Sequence, residues 1–263
     1  MNIDDIRRSF YGTWHATYLE PGDLSAEELQ TLPSVWRELV AADEGGAAGD
    51  VAALWRELCP QLPLVADYLE ENLIQLGLSR MTTPHHVVRE LELGERARHT
   101  TTEVALIYIT RDLYEVRPFV AWIGRQPFRG QLPPWWESVR SVLGDLATEF
   151  HDGFMLDAWN QGLLSIPDMP TMSELWIDYV DPYAEMVYVH KENEYASALP
   201  RDQWPDFSQL RVIAEGSTNR AWAIDQRKTD NTRWGDGADT LQPISDLAGS
   251  IEDMLREQMG GEL

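Results

Sequence analysis

The stretch LRVIAEGSTNRAWAIDQR, residues 210–227, restricts the fold of this chain more than any other. Leu210, Val212 and Ala214 alternate onto one face, and Trp222 and Ile224 resume the alternation beyond Glu215-Gly216-Ser217-Thr218-Asn219. Period-two patterning on both sides of a flexible, side-chain-bonding turn predicts a β-hairpin that serves as sheet framework.

The elements around the hairpin follow from periodicity and punctuation. Residues 2–10 read as a short helix, and residues 12–22 as an aromatic-rich connection holding Trp14 and Tyr18. Ser25 with Glu28 fits a capping box that opens a helical segment carrying Leu29, Leu32, Trp36 and Leu39, which Pro33 kinks or restarts. The tract DEGGAAGD, residues 43–50, has too many glycines for a helix and reads as a mobile loop. Helices are expected at 51–58 and 62–76, the second with Val65, Leu69, Leu73 and Leu76 on one side. Residues 104–110 and 119–123 are rich in β-branched and aromatic side chains and read as strands. The turn-rich passage 124–134 is the expected boundary between an N-terminal region, 1–131, and a C-terminal domain, 132–263.

Beyond that boundary, Pro134 suits a first helical turn, and Trp136, Val139, Leu143, Leu146 and Phe150 step by three and four until Gly153. Strands are expected at 175–180 and 186–190. Gly235-Asp236-Gly237 reads as a tight turn. Pro243 and Ile244 lead into a helix with Leu247, Ile251, Met254 and Leu255, closed by Gly260 and Gly261. Helices, several strands and a terminal helix make an α+β protein.

Charge narrows the function classes. With 44 acidic against 21 basic residues the net charge is -23, which argues against nucleic acid or an anionic membrane as the direct partner and favours a basic one. Acidity that serves solubility alone is the plainer reading. The single cysteine, Cys59, excludes an internal disulfide and a thiolate metal cluster, and reads as a small buried residue in a reducing compartment. The opening MNIDDIRRSF lacks the pattern of a signal peptide, and no apolar run approaches about 18 residues, so a cytoplasmic protein is expected.

Three segments in order, LPPWW leading to LATEFHDGF (132–154), the 210–227 hairpin, and ISDLAGSIEDMLREQM (244–259), resemble the SUKH superfamily of bacterial immunity proteins and yeast cell-wall-synthesis regulators. In that family a proline-led helix ends in a glycine-containing corner, followed by a hairpin with an acidic-Gly turn and a closing amphipathic helix. Phe150-His151-Asp152-Gly153 stands at the corner, Glu215-Gly216 at the turn and Asp225 at the strand end. The resemblance covers residues 132–260. It departs from the family in lacking an Asn-Gly corner, in its long Ser217-Thr218-Asn219-Arg220 turn and in its N-terminal half. It implies a SUKH-like mixed sheet with flanking helices, behind a helix-rich N-terminal part. It also implies a non-enzymatic protein without cofactor that neutralises a cognate bacterial toxin by docking onto it.

The acids are densest at residues 145–206, where 13 face only Lys191 and Arg201. A basic, nuclease-type toxin suits such a surface, whose field would steer association and block substrate access. Aromatics beside acids make good anchors. The expected partner surface is therefore Asp157, Trp159, Trp176, Asp178, Tyr179, Asp181, Tyr183, Glu185, Glu192 and Glu194. Each has a plainer reading, as solvated acid or core aromatic. His85 and His86 diverge as neighbours, His190-x-Glu192 is a common accidental spacing, and His151 reads as a cation beside the last carbonyls of its helix, so no metal site is expected. Asp178, Asp181 and Glu185 lack a nucleophile or phosphate loop nearby, so catalysis is not expected. A regulatory scaffold binding a host protein is the first alternative, and an uncharacterised hydrolase the second. The oligomeric state is not encoded in any recognisable pattern.

Overall fold

A computed structural model describes residues 16–42, 44–84, 100–114, 119–156, 161–174, 206–216, 220–227, 233–237 and 240–259. The first helices form where the caps predict. Ser25 accepts from the Glu28 N–H at 3.1 Å while the Glu28 carboxylate accepts from the Ser25 N–H at 2.8 Å, closing the capping box at the start of α1, Ala26–Thr31. Pro33 then restarts the chain as the N-cap of α2, Ser34–Ala41, which buries Trp36 and Leu39.

The expected loop at 43–50 is instead the first half of a helix, α3, Glu44–Leu58, with Asp43 itself outside the described residues. Ala47, Ala48, Val51, Ala52 and Trp55 are buried along one face of it. Each glycine costs a helix interior about 1 kcal/mol against alanine. Fully burying a side chain such as Val51 returns about 1.5–3 kcal/mol, so packing outweighs propensity. The next helix, α4, Pro63–Asn72, ends four residues before the periodicity predicts. The Asn72 side chain donates to the Tyr68 carbonyl at 3.1 Å, and Leu73 and Leu76 enter a strand.

The helix expected from Pro134 to Gly153 is broken. Helix α5, Trp136–Leu143, stops at Gly144, and α6, Leu146–Glu149, restarts the chain. Gly144 has φ +59°, and a Cβ there would lie 1.9 Å from the Leu58 carbonyl oxygen. The turn brings the Asp145 N–H to that same carbonyl at 2.9 Å, tying the end of α3 to α6. The closing helix is α7, Leu247–Met259, with the Asp246 side chain accepting the Gly249 N–H at 3.0 Å.

The strands are β1 (Ala16–Leu19), β2 (Leu73–Pro84), β3 (Thr100–Thr110), β4 (Val120–Arg125), β5 (Asp152–Leu156), β6 (Gln161–Leu163), β7 (Leu210–Glu215), β8 (Ala221–Asp225), β9 (Arg233–Gly237) and β10 (Thr240–Ile244). They form one antiparallel sheet in which each strand pairs with the next in the chain. The fold is thus mixed α+β. Gly235-Asp236-Gly237, expected as a turn, lies in β9, paired with β8 on one side and β10 on the other. Pro243 and Ile244 end β10 rather than open the helix. The 210–227 hairpin is β7 and β8, with Val212 opposite Ala223 and a bulge between Val212 and Ala214. It is buried on both faces, since Ile213, Ala221 and Ala223 are as inaccessible as Leu210 and Val212.

Strand β3 explains the unbroken apolar run at 104–109. Val104, Leu106 and Tyr108 join the main core, while Ala105, Ile107 and Ile109 pack with Tyr18, Met81, Phe119, Ala121 and Ile123 in a second cluster. A strand buried on both sides has no polar face to alternate. Residue 131 lies between β4 and α5, and β4 pairs directly with β5, Trp122 opposite Leu156. Trp36 Nε1 donates to the Phe150 carbonyl at 2.9 Å, and one hydrophobic core holds Trp36, Trp55 and Leu69 together with Phe154, Leu210 and Leu255. Among the described residues, sheet and core run through both sides of residue 131. No described helix is long and apolar enough to cross a membrane.

Candidate functional site

The densest concentration of perturbed titratable groups lies where α6 passes into β5, at His151 and Asp152. Successive residues of an extended chain point to opposite sides. His151 enters the core, where its ring lies 4.8 Å from Phe150, 5.5 Å from Tyr108 and 5.6 Å from Trp55 by ring centroids. Gly124 makes room for it, since a Cβ there would be 2.5 Å from the imidazole. His151 Nδ1 is 2.7 Å from the Gly153 carbonyl, which can only accept, so Nδ1 carries the proton. Nε2 is buried without a hydrogen-bond partner. Burial pushes the imidazole down to about 3, against the help of the Gly153 carbonyl. His151 is therefore neutral, and the expected role as a cation at a helix end is corrected. A charged ring in that aromatic cage would have no counter-charge.

Asp152 faces the other way and is 3% exposed. Both its carboxylate oxygens lie 3.0 Å from the Ile166 N–H. Opposite it in register stands Arg125, the last residue of β4. The Arg125 guanidinium bonds Glu103 of β3 through Nε, and Asp168 and Ser165 of the 3-10 turn Ile166–Asp168 and its N-cap through Nη1, the serine at 3.0 Å. Ser165 Oγ in turn donates to Asp168 at 2.8 Å. Burial disfavours the Arg125 charge, but Glu103 and Asp168 outweigh it and hold the guanidinium above its usual range. For Asp152 burial wins. It pushes the carboxyl up to about 7, with the charges of Asp168 and Glu103 adding to it and the Ile166 N–H and Arg125 opposing.

Three carboxylates thus share one guanidinium. The arrangement ties β3, β4 and β5 to the 165–168 turn, and the turn is further held to β7 by the Leu164 N–H on the Ile213 carbonyl at 3.0 Å. Asp152 has the proton affinity of a general acid, yet its oxygens are engaged by Ile166 and Ser165 is fully buried against Asp168, so the cluster binds a turn to a sheet. No group of three or more His, Cys, Asp or Glu among the described residues could hold a metal ion. Elsewhere burial raises Glu215 to about 7 and the Cys59 thiol to about 12, so Cys59 is an inert core residue.

All ten residues expected to form the partner surface, from Asp157 to Glu194, lie outside the described residues, as do His85, His86, His190 and the strands expected at 175–180 and 186–190. Glu103, Arg125 and Asp168 come from three separate segments, so no local motif marks the cluster. Arg125 does leave one local trace, a charge ending the apolar run VAWIG. Compared with family models, with curated proteins and with solved structures, the chain matches none.

Proposed function

We propose that this chain is a stoichiometric binding protein of the immunity type, which docks onto a basic, nuclease-type toxin in the cytoplasm and blocks its active site or the approach of substrate. The observation that carries the reading is the net charge of -23. Intramolecular pairing leaves it unchanged, since each pair removes one charge of either sign. Arg56, Arg80, Arg125, Arg140, Arg220 and Arg227 each pair with a carboxylate of their own chain, so these six of the 21 basic residues are matched internally. The remaining field is negative and acts over about a Debye length, ~8 Å at physiological salt. The SUKH-like order of helix, hairpin and closing helix supports the same reading.

Co-expression with the toxin encoded beside it tests the proposal. A 1:1 complex that rescues growth and forms more slowly as salt is raised is the expected result. A mixture that elutes as two free proteins at low salt overturns it.

A further inference from the structure

We propose that Asp152 is a proton-responsive anchor, which holds the 165–168 turn to the sheet while it carries a proton and loosens it when it ionises. The inference rests on the described fold alone and stands whether or not the partner is a toxin.

The geometry is that of an over-acidified cluster. The groups facing Asp152 are Glu103 from β3, Arg125 from β4, and Asp168 with the Ile166 N–H from the turn. On its own strand the adjacent His151 points into the core and is neutral. One guanidinium cannot neutralise three carboxylates, and Arg125 is already hydrogen-bonded to Glu103 and Asp168. Those two side chains keep 22% and 14% of their surface, which lets solvent support their charges. Asp152 has almost none, so it is the member that holds the proton, with its carboxyl at about 7. A carboxyl raised in the closed form and ordinary in the open form makes opening easier as pH rises through the closed-form value. The Ile166 N–H bond itself favours the ionised carboxyl, but desolvation and the charges of Asp168 and Glu103 outweigh it. The turn rather than β5 yields because β5 is held by its neighbours β4 and β6. The turn lies in the sequence between Trp159 and Trp176, within the stretch 145–206 where the acids are densest.

Hydrogen exchange at the Ile166 amide, corrected for intrinsic base catalysis, reads the opening directly. Its opening constant is expected to rise with pH by up to about tenfold per unit from mildly acid pH and to level off above neutrality. In Asp152→Asn, which keeps an oxygen for Ile166, the profile is expected to be flat. A pH-independent opening constant in the unmodified protein, or an unchanged slope in the variant, overturns the proposal. Should the variant fail to fold, a carbon-detected titration of the Asp152 carboxyl in the unmodified protein decides. A midpoint near neutrality supports the anchor, and a carboxyl ionised throughout pH 5–8 sinks it. Global unfolding is a poor readout here, since it also exposes His151, whose shift has the opposite sense.

Discussion

His151 and Asp152 are neighbours in the chain, and the two regions they enter solve burial in opposite ways. His151 sits among rings, with one nitrogen bonded and the other without a partner, and Phe154 at the centre stacks on Trp122 at 4.8 Å. Asp152 sits in a polar network whose members bond one another. The first region is held by apolar contact and tolerates a polar atom in its neutral form. The second is held by hydrogen bonds and depends on every partner remaining in place. Both drive their titratable group to neutrality, so folding takes a proton from an imidazole and gives one to a carboxyl.

The largest test of the comparison is to empty the aromatic side. Phe154→Ala removes a fully buried ring that also meets Trp55 at 5.0 Å and Tyr108 at 5.3 Å, and should cost about 3–5 kcal/mol in urea unfolding. On the polar side, Arg125→Ala leaves three carboxylates without their cation. A loss of about 3 kcal/mol is expected at neutral pH, shrinking on acidification as the acids take up protons. A loss that stays constant with pH would mean that Arg125 acts by packing alone.

The pH dependence sharpens the contrast further. His151 falls from 6.5 to about 3 on folding, so its region loses stability as pH drops below about 6.5. Asp152 rises from 3.8 to about 7, so its contribution is complete below the unfolded value and is lost as pH rises through about 7. Between 3.8 and 6.5 the His151 slope opposes that of Asp152, to which Glu215, also raised to about 7, adds in the same sense. His151→Gln should remove the opposing slope, so that stability rises more steeply than in the unmodified protein, by roughly 1.4 kcal/mol per unit, as pH is lowered from 6.5 toward 4. Denaturant midpoints with the same pH slope in the variant and the unmodified protein would refute the pairing. The smallest effect, a baseline outside both regions, is expected from Ser25→Ala. Losing this cap should cost about 1 kcal/mol by chemical denaturation at any pH above the Glu28 range.

Local chemistry was legible in the sequence wherever one segment contained the whole cause. The Ser25 and Glu28 capping box, the restart at Pro33, the strands around Val104 and Val120 and the 210–227 hairpin all depend on residues a few positions apart. Glycine content is ambiguous in both directions. At 43–50 it suggested a loop, but the faces of Ala47, Val51 and Trp55 had a core to enter. At Gly144 a single glycine breaks a continuous helical pattern, because the Leu58 carbonyl lies where a side chain would be. Neither neighbour can be read from the local string.

What the sequence determined by itself was the α+β class, the hairpin, the caps and the net charge of -23, since composition and short-range periodicity carry those. Only the tertiary structure decided that β4 joins β5 across residue 131, that His151 is caged and neutral, and that Glu103, Arg125, Asp152 and Asp168 meet. The reason is physical. Desolvation and ion pairing depend on what surrounds a group in space, and residues from 103 to 168 become neighbours only once antiparallel pairing brings their strands together.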